Sequence, residues 1–167
     1  MRNPHPDVLY HGTGVLQLAE IIASGHIEIS ADDDFDDSGI VGVSLTSDLD
    51  VAWKFANEAK ERDWEGIWNS PVNDAVVLHL NASSLSNAVN LTSVTWDGSS
   101  VEAEYRTSGR IYAPLRFIDH ISIDPASLAW WHDTLVESGE LELAAALGSL
   151  PSLLMMERTA ESVTPPV

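Results

Sequence analysis

Three short stretches carry the side chains with chemical potential. Leu9-Tyr10-His11-Gly12-Thr13 is an apolar, β-prone run that ends on an imidazole, a glycine and a hydroxyl. A helix-like segment follows at once, so the polar trio falls where strand turns into helix, a common address for a small-molecule site. Val43-Ser44-Leu45-Thr46 alternates apolar and hydroxyl residues, which points Ser44 and Thr46 the same way. Val101-Glu102-Ala103-Glu104-Tyr105-Arg106-Thr107 alternates strictly and puts Glu102, Glu104 and Arg106 on one face. Carboxylates on such a face can stabilise a developing positive charge. The same three residues would also make an ordinary solvated strand face.

The elements that must position these residues follow from the spacing. Leu16, Ala19, Ile22 and Ala23 recur at helical intervals after the first strand, and Gly25 closes that helix. Ile27 and Ile29 alternate with polar neighbours as a half-buried strand does. Ser47 and Asp50 suggest a capping-box start for a helix over 48–62, with Val51, Ala52, Phe55, Ala56 and Ala59 as its apolar face. Ala75 to Leu80 is a nearly continuous apolar run, as expected of a strand covered on both faces. A polar connection with Ser83, Ser84 and Ser86 leads to Val94-Thr95-Trp96 and a turn at Asp97-Gly98. Ile111–Ala113 and 118–123 read as closing strands joined across Pro114. Pro125 opens a helical segment whose leucines cover one side of the sheet, and the Trp130-Trp131 pair reads as packing. Strands and helices mix without regular alternation, which predicts an α+β fold.

Bulk properties narrow the function. The 167 residues suit one domain: a core over 1–124, a helical segment over 125–162 packed on it, and a loose tail over 163–167. Eight Lys and Arg against 26 Asp and Glu leave a formal charge of -18, which speaks against nucleic acid or an anionic membrane as partner and favours basic ones. With no Cys, thiolate zinc sites and cysteine nucleophiles are excluded. The same absence suits a reducing compartment, so a cytoplasmic location is expected. The N-terminus lacks the apolar core of a signal peptide, and no run is long enough to span a membrane. The acidic run Asp32 to Asp37 reads as an exposed loop. It lacks the glycine and distal glutamate of a calcium loop, so no metal is expected.

In chain order, Leu-Tyr-His-Gly-Thr, then Val-Ser-Leu-Thr-Ser-Asp before a helix, then Glu-Ala-Glu-Tyr-Arg before Pro-Leu-Arg-Phe-Ile-Asp-His-Ile resemble the ADP-ribosyltransferase superfamily, in particular its small bacterial and phage members. The resemblance spans residues 8–123. It implies a split β-sheet core with flanking helices and NAD as substrate. Cleavage of the bond between nicotinamide and ribose passes through an oxocarbenium-like centre, and Glu104 is the carboxylate that would stabilise it. By the same resemblance His11 would hydrogen-bond a ribose hydroxyl and the Gly12 backbone would pair with the nicotinamide carboxamide, with Thr13 beside them. Ser44 occupies the middle motif with Thr46 next to it, Phe55 falls where members carry a stacking ring, and Glu102 would orient an acceptor. Arg106 would either contact the pyrophosphate or form an ion pair with Glu104.

The chain mixes two patterns of that superfamily: a His in the first motif usually accompanies Tyr in the second, and Ser with Glu-x-Glu usually accompanies Arg in the first. The resemblance implies a mono-ADP-ribosyltransferase, and the charge favours a protein acceptor, in a toxin, phage or defence setting. NAD glycohydrolysis, with water as acceptor, is a close variant. A non-catalytic acidic module that binds NAD, ADP-ribose or a basic partner is the alternative of another class.

Overall fold

The structure is a computed structural model that describes residues 6–28, 42–64, 74–96, 99–150 and 155–157, with the backbone alone for 59–64, 94–96, 99–103 and 155–157. The acidic run Asp32–Asp37, the loop around Trp68, the Asp97-Gly98 turn, Leu153, Leu154 and the 163–167 tail lie outside the described residues.

The fold is α+β, as the sequence predicts. Strand β1 (Val8–Gly14) leads into helix α1 (Val15–Ser24), and β2 (His26–Ile27) follows. Then come β3 (Ser44–Thr46), α2 (Leu49–Trp64), β4 (Ala75–Asn81) and α3 (Ala82–Ala88). The hairpin β5 (Leu91–Trp96) and β6 (Ser99–Thr107), β7 (Ile111–Tyr112) and β8 (Ile118–Ile123) complete the middle of the chain. Helices α4 (Pro125–Glu137) and α5 (Leu141–Gly148) and strand β9 (Met155–Glu157) close it. Seven strands form one sheet in the order β5-β6-β3-β1-β4-β8-β9, and β2 pairs with β7 separately. Every described pairing is antiparallel except β8 with β9.

Helices cover both faces. On one, α1, α4 and α5 meet in a core that joins Val15, Leu18, Trp131, Leu135 and Leu147 to Leu9, Leu78, Leu80 and Ile121. Full burial of each such side chain contributes roughly 1.5–3 kcal/mol. On the other face, Ala52 and Ala56 of α2 pack on Ala75 and Val77. Strand β4 is thus buried on both sides, which is why its sequence is apolar at consecutive positions. Asp74, fully buried just before β4, accepts Trp131 Nε1–H at 2.7 Å, and its carbonyl accepts Val15 N–H at 3.0 Å. That residue ties α4 to the junction of β1 and α1.

Several local expectations need correction. The α2 cap is Asp48, whose Oδ1 accepts Asp50 N–H at 2.9 Å, and not Ser47: the helix begins one residue later than the capping box predicts. The serine-rich connection is the helix α3, capped by Asn81, because Ala82 and Leu85 reach the core at helical spacing. The C-terminal segment is not helical throughout. After α4 and α5 the chain adds β9 alongside β8, so part of its apolar content serves a strand. Gly25 does close α1, at φ 82°. Among the described residues no helix is long and apolar enough to cross a membrane.

Candidate active site

Register decides which side chains can meet. Residues paired directly across antiparallel strands share a face. Glu104 pairs with Thr46, Thr46 with Tyr10, Tyr10 with His79, and His79 with His120. One row of side chains therefore crosses five strands on the face that carries α2. Ser44 pairs with Arg106 one step along the same face.

The sheet narrows at the centre of this arrangement. Strands β1 and β4 pair over seven positions, whereas β1 and β3 are joined at the single described pair Tyr10 and Thr46. Past that pair the His11 ring bridges the seam, and its Nδ1 lies 3.0 Å from the Ser44 carbonyl oxygen. A carbonyl can only accept, so Nδ1 carries the proton and Nε2 keeps a lone pair. Burial pulls the His11 pKa below its ordinary value, and the bond to Ser44 only partly opposes this. The ring is neutral at neutral pH.

Ser44 is the node of the site. While its carbonyl holds His11, its hydroxyl donates to Glu104 Oε1. Arg106 Nε stands 3.6 Å from the same oxygen, and Glu104 and Arg106 are only 5% and 3% exposed. Thus one central residue from each of the three sequence stretches joins a single hydrogen-bonded chain. Such a chain links a neutral imidazole to an oriented carboxylate across the seam.

The other expected site residues have different placements. Gly12 lies directly under α2: a Cβ there would meet the Ala52 carbonyl oxygen at 2.2 Å and the Ala56 nitrogen at 2.7 Å. Packing alone therefore demands glycine. Thr46 is buried, and its hydroxyl accepts Asp48 N–H at 3.0 Å, fixing the turn from β3 into α2. Thr13 is buried at 4% exposure, on the pleat face of Leu9 and His11. Phe55 stands on α2 with 41% of its surface exposed. Glu102 belongs to β6, but its side chain lies outside the described residues. Arg110 donates from Nε to Glu28 Oε1 at 2.6 Å.

Sequence reasoning missed the neighbouring imidazoles. His79 Nε2 is 2.7 Å from Ser122 Oγ, and the Tyr10 ring meets His79 edge to face at 5.0 Å. Burial, then the neighbouring His120, pushes the His79 pKa down to about 4, against a smaller opposite effect of Asp119. An isolated polar residue in the apolar run 75–80 was the available signal. An apolar groove of about 380 Å³ between α4 and α5, lined by Leu128, His132 and Leu147 among others, belongs to the opposite layer. Among the described residues no group of three or more His, Asp or Glu is arranged to hold a metal.

No protein-family model and no curated protein sequence matches the chain. Among solved structures it is similar to DarT of Thermus sp. 2.9 in complex with NAD+, at 12% identity over 92% of this chain and 96% of that one, with a TM-score of 0.48. The same protein with ADP-ribosylated ssDNA aligns at 11% identity over 95% and 98%, with a TM-score of 0.49. Protein CC0527 from Caulobacter crescentus aligns at 16% over 69% and 83%, with a TM-score of 0.37. These are distant likenesses in fold, and no residue role is carried over from them.

Proposed function

We propose that this chain is an NAD-dependent ADP-ribosyltransferase with Glu104 as its essential carboxylate. The observation that supports this is the hydrogen-bonded chain His11–Ser44–Glu104 at the seam between β1 and β3. The bond that breaks joins the nicotinamide nitrogen to the ribose C1′. Nicotinamide leaves with the electron pair as a neutral molecule, and positive charge develops at C1′ and the ring oxygen. A carboxylate held at that centre stabilises the charge more in the transition state than in the ground state. Ser44 keeps Glu104 in one orientation, and His11 Nε2 accepts from a ribose hydroxyl. The acceptor nucleophile then bonds to C1′ and gives up its proton. Glu102 is assigned the orientation of that acceptor.

On charge, the acceptor is a protein: a chain of formal charge -18 favours a basic side and repels a polyanion. The deciding experiment measures nicotinamide release from NAD by wild type and Glu104→Gln, with a basic protein, with single-stranded DNA, or with neither. Loss of release by about a hundredfold or more in the variant, with the fold intact, is expected. Undiminished release in Glu104→Gln would refute the mechanism. Release that depends on DNA would replace the protein acceptor, and release without any acceptor would make the protein a glycohydrolase.

A further inference from the structure

We infer that Arg106 is a positioning residue that holds the Glu104 carboxylate in place within a water-poor site, and is not a ligand of the NAD pyrophosphate. This rests on the reading of Glu104 above. The two side chains stand two residues apart on β6, hence on one face, opposite Thr46 and Ser44. Helix α2 packs over the same face at β1, β3 and β4. On β6 the Glu104 side chain is itself only 5% exposed, so little water reaches a carboxylate that must carry charge to work. A buried carboxylate is tolerated as an ion when a countercharge and hydrogen bonds replace its hydration. The guanidinium at 3.6 Å supplies the first and the Ser44 hydroxyl the second, on the same oxygen, Oε1.

The surroundings make this countercharge more necessary. With 26 acidic residues against eight basic ones, the mean field of the chain disfavours any ionised carboxylate. A pyrophosphate ligand must present its charge to an entering anion, yet Arg106 directs its Nε toward Glu104 Oε1, 3.6 Å away. Turning it toward phosphate would strip Glu104 of its partner at the step where the carboxylate acts.

The test compares kcat and KM for nicotinamide release in Arg106→Gln, Arg106→Lys and wild type, together with urea unfolding of Arg106→Gln, Glu104→Gln and the double variant. Misplacing a reacting carboxylate by about 1 Å can cost on the order of a hundredfold, so kcat in Arg106→Gln should fall about ten- to hundredfold with KM for NAD unchanged. Arg106→Lys should recover most of it, and carries the same readouts if the Gln variant does not fold. A raised KM with kcat unmoved would make Arg106 a phosphate ligand and overturn the inference. So would additive unfolding free energies, because a real pair leaves Arg106→Gln less stable than the double variant predicts. If wild type itself releases no nicotinamide, Glu104→Gln will match it, which identifies the failure as that of the site reading, and the positioning role falls with it.

Discussion

Replacing Gly12 by Ala separates two explanations for the glycine in the first motif. If it serves ligand approach alone, Ala leaves stability untouched and weakens NAD binding. The geometry predicts the reverse order of effects. The added Cβ would sit 2.2 Å from the Ala52 carbonyl oxygen, whereas ordinary contact begins at 3.4 Å. Helix α2 must then retreat by about 1.2 Å, or β1 must bend by as much. Backbone atoms, not a flexible side chain, are in the way. The retreat pulls Ala52 and Ala56 off Ala75 and Val77, the contact that holds α2 to the sheet. Overpacking costs ~1–3 kcal/mol and the lost contact adds to it, while stiffening of the unfolded chain by Ala returns about 0.4–1. We expect a net loss of about 2–3 kcal/mol, near 5–10 °C in Tm at this size. Urea unfolding followed by far-UV circular dichroism measures it, with an unchanged m-value showing that only stability moved. Gly109→Ala is the control, since nothing lies within 4 Å of a Cβ there. A Gly12→Ala midpoint equal to that of the control would refute the packing argument.

Two further outcomes follow from buried polar groups, and one from charge. His79 has its pKa depressed to about 4 by burial, so between about pH 6.5 and 4 the unfolded chain binds the proton and the folded one resists it. Stability should therefore be complete above pH 6.5 and fall as pH drops toward 4, by about 1–2 kcal/mol once the ring's partial exposure is discounted. His79→Phe should flatten that part of a urea-midpoint profile, and an equally steep profile would exclude His79 as its source. Trp131→Phe keeps the ring packing but leaves the buried Asp74 carboxylate without the Nε1–H donor, so it should cost ~1–3 kcal/mol, against nearly nothing if that bond is incidental. Raising salt shortens the range of repulsion between an anionic protein and anionic NAD, so KM for NAD should fall slightly from low to physiological ionic strength. A KM that climbs with salt would mean exposed cations line the site.

Much of the architecture is legible in the sequence because period and punctuation are local. Alternation over 101–107 announced β6, Gly25 announced the end of α1, and the apolar run from Ala75 announced a strand covered twice. The errors arise where two local signals compete. Ser47 and Asp48 both offer a capping oxygen, and only the start of α2 decides between them. The serines after Asn81 suggest a polar connection, yet the same residues make the exposed side of a short helix once Ala82 and Leu85 are buried. Nothing local in Met155–Glu157 indicates that it will pair with a strand more than thirty residues away.

The candidate site shows a different limit. The candidate residues were readable from their order, but how each is held depends on register, which no single stretch contains. Alternation says that Ser44 and Thr46 share a face, and the structure agrees. Their roles nevertheless diverge: Thr46 sits where the chain turns into α2 and its hydroxyl accepts Asp48 N–H there, while Ser44 sits at the seam. The seam exists because β1 follows β4 for its whole length and leaves β3 after one pair. That departure leaves the Ser44 carbonyl without a ladder partner from the β1 backbone at that point, and the His11 ring takes the place of the missing rung. A side chain doing the work of a backbone bond is fixed in tautomer and position by the fold itself. The same bond that closes the sheet therefore aims Nε2, so a substitution at His11 alters the closure of the sheet and the direction of that nitrogen together.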